Sequence, residues 1–193
     1  MDKIKSAWEI ALEKTKNVKA DRQSLLEQQY IEQGKKMVSA FLEKPEEDLA
    51  KQFAGVDKQH KSLVKQGMLS TLLSNLTLPL TDSAAGRNRA VQQAFLQLFP
   101  GSAQAGAIFS QLEQFFGRYK QDREQIREQI KAQYMPKLRA KAEALARQLG
   151  TQVELDPFAD PEFAALLKRN LAQFDEKYNT VLRQAKDELQ RLF

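Results

Sequence analysis

The chain has 193 residues, with 30 Lys and Arg against 25 Asp and Glu, only 8 Gly and 6 Pro, and no Cys. Its richness in Ala, Leu, Gln, Glu, Lys and Arg belongs to long helices and excludes a sheet-based fold. Without cysteine there are no disulfides, thiolate metal sites or thiol nucleophiles, which fits a reducing, cytoplasmic setting.

The N-terminus, MDKIKSAWEIALEK, carries charges every few residues and does not read as a signal peptide. Ile4, Trp8, Leu12 and Val18 fall at helical intervals, with Ala7 and Ala11 beside them, and predict a short amphipathic helix over 3–17. The run Ser6-Ala7-Trp8-Glu9-Ile10-Ala11-Leu12-Glu13-Lys14-Thr15 resembles the opening of a family of uncharacterised bacterial all-helical proteins. That resemblance implies a bacterial cytosolic setting, and no activity or functional residue to carry over.

Asp21 is the expected cap of a second helix running through Leu26, Tyr30, Met37, Val38, Phe41 and Leu42. Pro45 should end it and open a third, with Glu46, Glu47 and Asp48 at the new N-terminus. Gly34 costs a helix about 1 kcal/mol relative to Ala, so its presence points to a close helix approach. In the third helix Leu49, Phe53, Val56, His60, Leu63 and Gly67 step four, three, four, three, four, the spacing of a coiled-coil seam. Past Gly67 the run MLSTLLSNLTLPL is apolar on several sides and needs several neighbours. Pro79 should stop it, and Asp82 or Ser83 should cap a fourth helix ending near Phe99, before the Pro100-Gly101 turn and Ser102.

The longest helical stretch follows, over 102–149. Its seam is Ile108, Leu112, Phe115, Tyr119, Ile126, Ile130, Tyr134, Leu138, Ala142, Leu145 and Leu149, with Asp122 interrupting it and Pro136 a candidate break. Asp122 is read as setting the helix register, or as pairing with a nearby Arg such as Arg118 or Arg123. Gly150 is a natural stop, and Asp160-Pro161-Glu162 is the strongest helix start in the chain. The last helix places Leu167, Leu171, Phe174, Tyr178, Val181 and Ala185 on its seam. The whole reads as an all-α helical bundle with a long antiparallel, coiled-coil-like helical hairpin. Residues 1–193 form one unit, 1–100 a helical base and 101–193 the hairpin.

Charge is uneven: residues 51–150 carry fifteen basic and seven acidic groups, the two ends together fifteen and eighteen. Within 131–150, Lys137 and Lys141 lie about 100° and 60° from Leu138, and Arg139 and Arg147 cover the far side. The cations flank the seam instead of forming one stripe, so a solvated helix surface is the leading reading. Arg87, Arg89, Lys137, Arg139 and Lys141 are the candidate polyanion contacts of a nucleic-acid alternative. Gly86-Arg87-Asn88-Arg89 and Gly101–Gly106 match no phosphate-binding fingerprint.

His60 is the single histidine, with Asp57 one turn before it. That pair is the only hint of a metal or small-molecule site between helices, and one histidine cannot furnish the two Glu-x-x-His units of a di-iron bundle. No catalytic arrangement, cofactor or metal is implied. Two uncharged stretches, Gln66–Thr81 and Ala90–Leu112, are too short or too interrupted to span a membrane. They place Leu69, Leu72, Leu73, Leu76, Phe95, Leu98 and Phe99 in the densest core or a subunit interface. The leading expectation is a non-enzymatic cytoplasmic scaffold or adaptor that acts through helix-to-helix contact with a protein partner or with itself.

Overall fold

A computed structural model describes residues 7–193, and side chains from residue 23 onward. The described residues form six α-helices and one short 3-10 turn, with no strand: α1 (Ala7–Glu43), α2 (Leu49–Ala54), α3 (Lys61–Asn75), α4 (Asp82–Leu98), α5 (Ala103–Leu149), the turn Pro157–Ala159 and α6 (Pro161–Arg191). Among them no helix is long and apolar enough to cross a membrane. The chain divides into two compact units, Met1–Leu76 with Arg87–Ser102, and Thr77–Gly86 with Ala103–Phe193.

In the first unit the two N-terminal helices expected are a single one. No Gly or Pro stands between residues 7 and 33, and α1 runs through Asp21, which therefore caps nothing. The stripe of Ile4, Trp8, Leu12 and Val18 lies outside the described side chains. The expected stop holds: α1 ends at Glu43, two residues before Pro45. Asp48 alone of the three acids caps α2, its carboxylate accepting from the Lys51 amide at 2.8 Å. Gln97 and Gln93 of α4 hold this corner, Gln97 Oε1 accepting from the Leu49 amide and Gln93 donating to the Pro45 carbonyl.

The four-three seam over 49–67 is not one helix. It breaks between Ala54 and Lys61, where the Asp57 carboxylate accepts from the Gln59 amide at 2.9 Å and closes a local turn. α3 then packs along α1 at two reciprocal glycines. A methyl group on Gly34 would collide with the Val64 carbonyl oxygen, and one on Gly67 with the Ile31 carbonyl oxygen. Both glycines are buried, so backbone meets backbone at the crossing. Val38, Phe41, Val64, Met68, Leu72, Val91 and Phe95 complete a core whose side chains are almost fully buried.

α3 ends at Asn75, four residues short of Pro79. The Thr81 hydroxyl, not Asp82 or Ser83, accepts from the Ala84 amide at the start of α4. Gly101 adopts φ +84° in the Pro100-Gly101 turn, and Gly150 adopts φ +69° just past α5, both conformations that glycine takes without strain.

In the second unit α5 runs unbroken for 47 residues, on the order of 70 Å. Pro136 lies inside it on the exposed face with Ala132, whose carbonyl loses its helical partner where both residues are open to solvent. α6 faces α5, and the contacts run in opposite order along the two: Tyr119 meets Asp175, and Tyr134 meets Asp160. Ile130, Tyr134, Leu138 and Phe163 form one buried cluster between them. Val181 is not on the seam. It is 47% exposed, while Leu182 and Leu189 are buried in its stead, because a straight helix drifts off a strict seven-residue repeat.

Candidate functional site

The titratable side chains with displaced pKa values gather where α5 meets α6. At the start of α6 the Asp160-Pro161-Glu162 sequence does two things at once. Asp160 Oδ1 caps the helix by accepting from the Glu162 amide at 2.9 Å. Its Oδ2 accepts from the Tyr134 hydroxyl at 2.9 Å and from Lys141 Nζ at 2.7 Å. Glu162 takes a second bond from Lys141 at 3.1 Å and one from Lys137. The Lys141 hydrogen bond holds the Asp160 carboxyl down to about 2, and Lys137 lowers Glu162. The same bonds raise the Lys141 ammonium above its ordinary value. Burial raises the Tyr134 phenol.

Farther along the seam stands a reciprocal pair of tyrosines. Tyr119 of α5 donates to Asp175 of α6 at 2.7 Å, and Tyr178 of α6 donates to Asp122 of α5 at 2.6 Å. Arg123 donates to the same Asp175 oxygen at 3.3 Å. Phe174 stacks on Tyr119 with ring centroids 5.7 Å apart, and Tyr178 packs on both. Burial first, then the neighbouring carboxylate, pushes Tyr178 up to about 12 and Tyr119 further still. A phenol in this setting is a locked hydrogen-bond donor, not a base poised near neutrality.

Asp122 thus pairs with Tyr178, not with Arg118 or Arg123. The signal for this was in the chain: Tyr119-x-x-Asp122 on one helix and Asp175-x-x-Tyr178 on the other are the same spacing reversed. Helices that meet in opposite order set Tyr119 against Tyr178, and each hydroxyl then crosses diagonally to the carboxylate of the other helix.

The candidate polyanion contacts scatter. Lys137 and Lys141 are engaged by Glu162 and Asp160. Arg87 donates to Asn75 Oδ1 at 3.1 Å, and the Gly86–Arg89 segment is helix, not a flexible turn. Arg89 and Arg139 are exposed. Among the core or interface candidates, Leu69, Leu72, Leu76 and Phe95 are buried, and Leu73, Leu98 and Phe99 half-buried. His60 leaves the expected seam, since it precedes α3 in the break after α2, and it stacks flat on Tyr30 of α1 with centroids 3.7 Å apart. Among the described residues no three His, Cys, Asp or Glu side chains cluster as metal ligands would.

The stretch from α2 to α6 has a counterpart among known families. Residues 50–191 match the model of a family of unknown function (DUF6657). The chain belongs to that family. The match takes in both helices of the α5–α6 seam and the Asp160 start, and begins well beyond the Ser6–Thr15 segment that carries the N-terminal resemblance. No curated protein and no solved structure matches the chain.

Proposed function

We propose that the protein is a non-enzymatic helical scaffold or adaptor that works in the cytoplasm by docking helix against helix, with a protein partner or with a second copy of itself. One observation carries this reading. α1 has 37 residues, whereas α3, the helix laid along it, has 15 and α2 only 6. α1 therefore outruns its cover, and residues 23–29 are all exposed, with Leu25 at 60% and Leu26 at 46%. Adjacent exposed leucines on a helix long enough to receive another helix favour association. The sequence adds Trp8, Leu12 and Val18 upstream at helical intervals. The displaced titratable groups support the same reading, because each has a partner or a burial that belongs to helix pairing, not to a substrate cleft. The lack of cysteine supports a reducing compartment.

The test is light scattering on the eluting full chain, at low salt, with absorbance at 260 and 280 nm. The reading expects an assembly larger than one chain, or capture of a discrete protein partner, free of nucleic acid. Leu25→Asp with Leu26→Asp should abolish that association while leaving the helical circular dichroism intact, since both side chains are already exposed. Association unchanged in the double variant would defeat the assignment. Nucleic acid that co-elutes and is stripped by salt would move the function to Arg87, Arg89 and Arg139.

A further inference from the structure

Between α5 and α6 the chain crosses from Gly150 to Asp156 without helix. Side-chain exposure alternates there residue by residue: Gln152 and Glu154 are exposed, Val153 and Leu155 half-buried. That period of two belongs to an extended chain, and Asp156 has extended dihedrals of φ −76° and ψ 122°. Among the described residues, no backbone-to-backbone hydrogen bond reaches Gln152–Leu155. Beside this segment lies an open groove of about 590 Å³, floored by Met135, Leu138 and Ala142 of α5. Two opposite charges line it, Arg139 on α5 and Glu154 on the segment. Neither forms an ion pair among the described residues, unlike Lys137 and Lys141 two residues to either side of Arg139.

An unpaired extended edge beside an apolar floor is the arrangement that accepts another extended chain by backbone pairing. The charges narrow the occupant. A groove carrying one free cation and one free anion is complementary to its own two-fold copy, because residue i meets j and j meets i across such an axis. We infer that a second copy of this chain docks here, the two Gln152–Leu155 segments pairing edge to edge and Arg139 of each copy facing Glu154 of the other. The inference rests on the self-association reading above and names a contact that this reading does not contain.

The chain has no cysteine, so single-cysteine variants report proximity cleanly. In the full chain, Val153→Cys should form a covalent dimer on mild oxidation, since facing strand residues lie within disulfide reach. Arg139→Glu and Glu154→Arg should each weaken dimerisation in analytical ultracentrifugation by about tenfold or more, as expected for one close interfacial charge pair. The double variant Arg139→Glu/Glu154→Arg should restore it. Circular dichroism on all of them should be unchanged, both groups being exposed. A dimer that neither cross-links through residue 153 nor responds to the charge reversals overturns this contact and leaves the proposed function standing. A chain that is monomeric at every concentration overturns it as well, and leaves only a different protein as the partner of the scaffold.

Discussion

The two helix pairs of this molecule are joined by opposite means. Where α1 meets α3, side chains are removed: Gly34 and Gly67 let the backbones touch, and no ion pair is needed. Where α5 meets α6, large side chains are added: Tyr119, Phe174 and Tyr178 fill the space, and carboxylates accept hydrogen bonds from the two tyrosine hydroxyls. The first pair tolerates no added atom at its crossing, where both glycines meet backbone. The second is held by stacked rings and hydrogen-bonded phenols, and it answers to pH. Close approach and aromatic filling both exclude water, but only the second names its partner chemically, since Tyr119 donates to Asp175 and Tyr178 to Asp122.

The sharpest way to break this contrast is one methyl group. Gly67→Ala, or Gly34→Ala, gains about 1 kcal/mol of helix propensity. The new carbon would nevertheless meet backbone, and for Gly34 the Met68 amide nitrogen lies only 2.9 Å from it. Backbone cannot rotate aside, so the helices must part, and a net loss of about 3 kcal/mol is expected, the top of the overpacking range. Urea unfolding measures it. A variant as stable as the parent would mean that the crossing is looser than described.

The second prediction asks how much the tyrosine pairs carry. Tyr119→Phe keeps the ring on Phe174 and removes only the hydroxyl bonded to Asp175. Arg123 still bonds that carboxylate, and Asp175 keeps 22% of its side-chain surface in water. The loss should therefore sit near the low end for a hydrogen bond to a charged group, about 1.5 kcal/mol. If Asp122→Asn at the reciprocal pair costs as much again and the two add, the pairs act independently. A double-mutant cycle reads this directly.

These two regions also differ in how much of them the sequence disclosed. The glycine crossing was half visible, because Gly34 inside a helical pattern had no other reason to be there. Its counterpart Gly67 read as one more seam position. The four-three rhythm from Leu49 to Gly67 survived the break at Gly55–His60, since periodicity counts residues and not chain continuity; the turn formed by Asp57 interrupts the helix without disturbing the count. In the second unit the Asp160-Pro161-Glu162 start and the Gly150 stop were local chemistry and lie where expected. What the cations of 131–150 do was not local. Lys137 and Lys141 find Glu162 and Asp160 only after the chain has turned back, 25 and 19 residues later. A helical wheel places the charges but cannot supply their partners. At Val181 and Leu182 the sequence left two neighbouring apolar residues to choose from, and the packing of α6 on α5 chose the second.

A smaller prediction reuses the glycine substitution on the other helix pair. Gly117 lies in the middle of α5, exposed, with nothing within 4 Å of where a side chain would start. Gly117→Ala should stabilise the protein by about 0.5–1 kcal/mol through helix propensity alone. The same chemical change thus has opposite signs in the two units, set only by whether another backbone occupies the site. If Gly117→Ala destabilised, an unseen neighbour would have to cover that face.

The smallest effect on global stability should come from acid, and it is confined to one end of the second pair. Asp160 has a folded value near 2 against an ordinary 3.8, because Lys141 donates to it. Above pH 3.8 the carboxylate is charged whether or not the chain is folded, and its contribution is complete. As the pH falls from 3.8 towards about 2, the unfolded chain takes up the proton first, and the contribution fades. Glu162, also lowered, weakens in the same direction. Lys141 moves oppositely: its contribution is whole below its ordinary value of 10.5 and is lost only as the pH rises past the raised folded value. The start of α6 should therefore hold from neutrality into the alkaline range and loosen selectively in acid. Amide signals of Phe163 and Ala164, followed by NMR, should shift as the pH falls towards about 2, in step with the protonation of Asp160. Asp160→Asn keeps an oxygen to cap the Glu162 amide while removing the charge that Lys141 binds, so it should flatten most of this acid response without abolishing the helix start. An acid transition equally steep in that variant would assign the response to Glu162 and its bond with Lys137 instead.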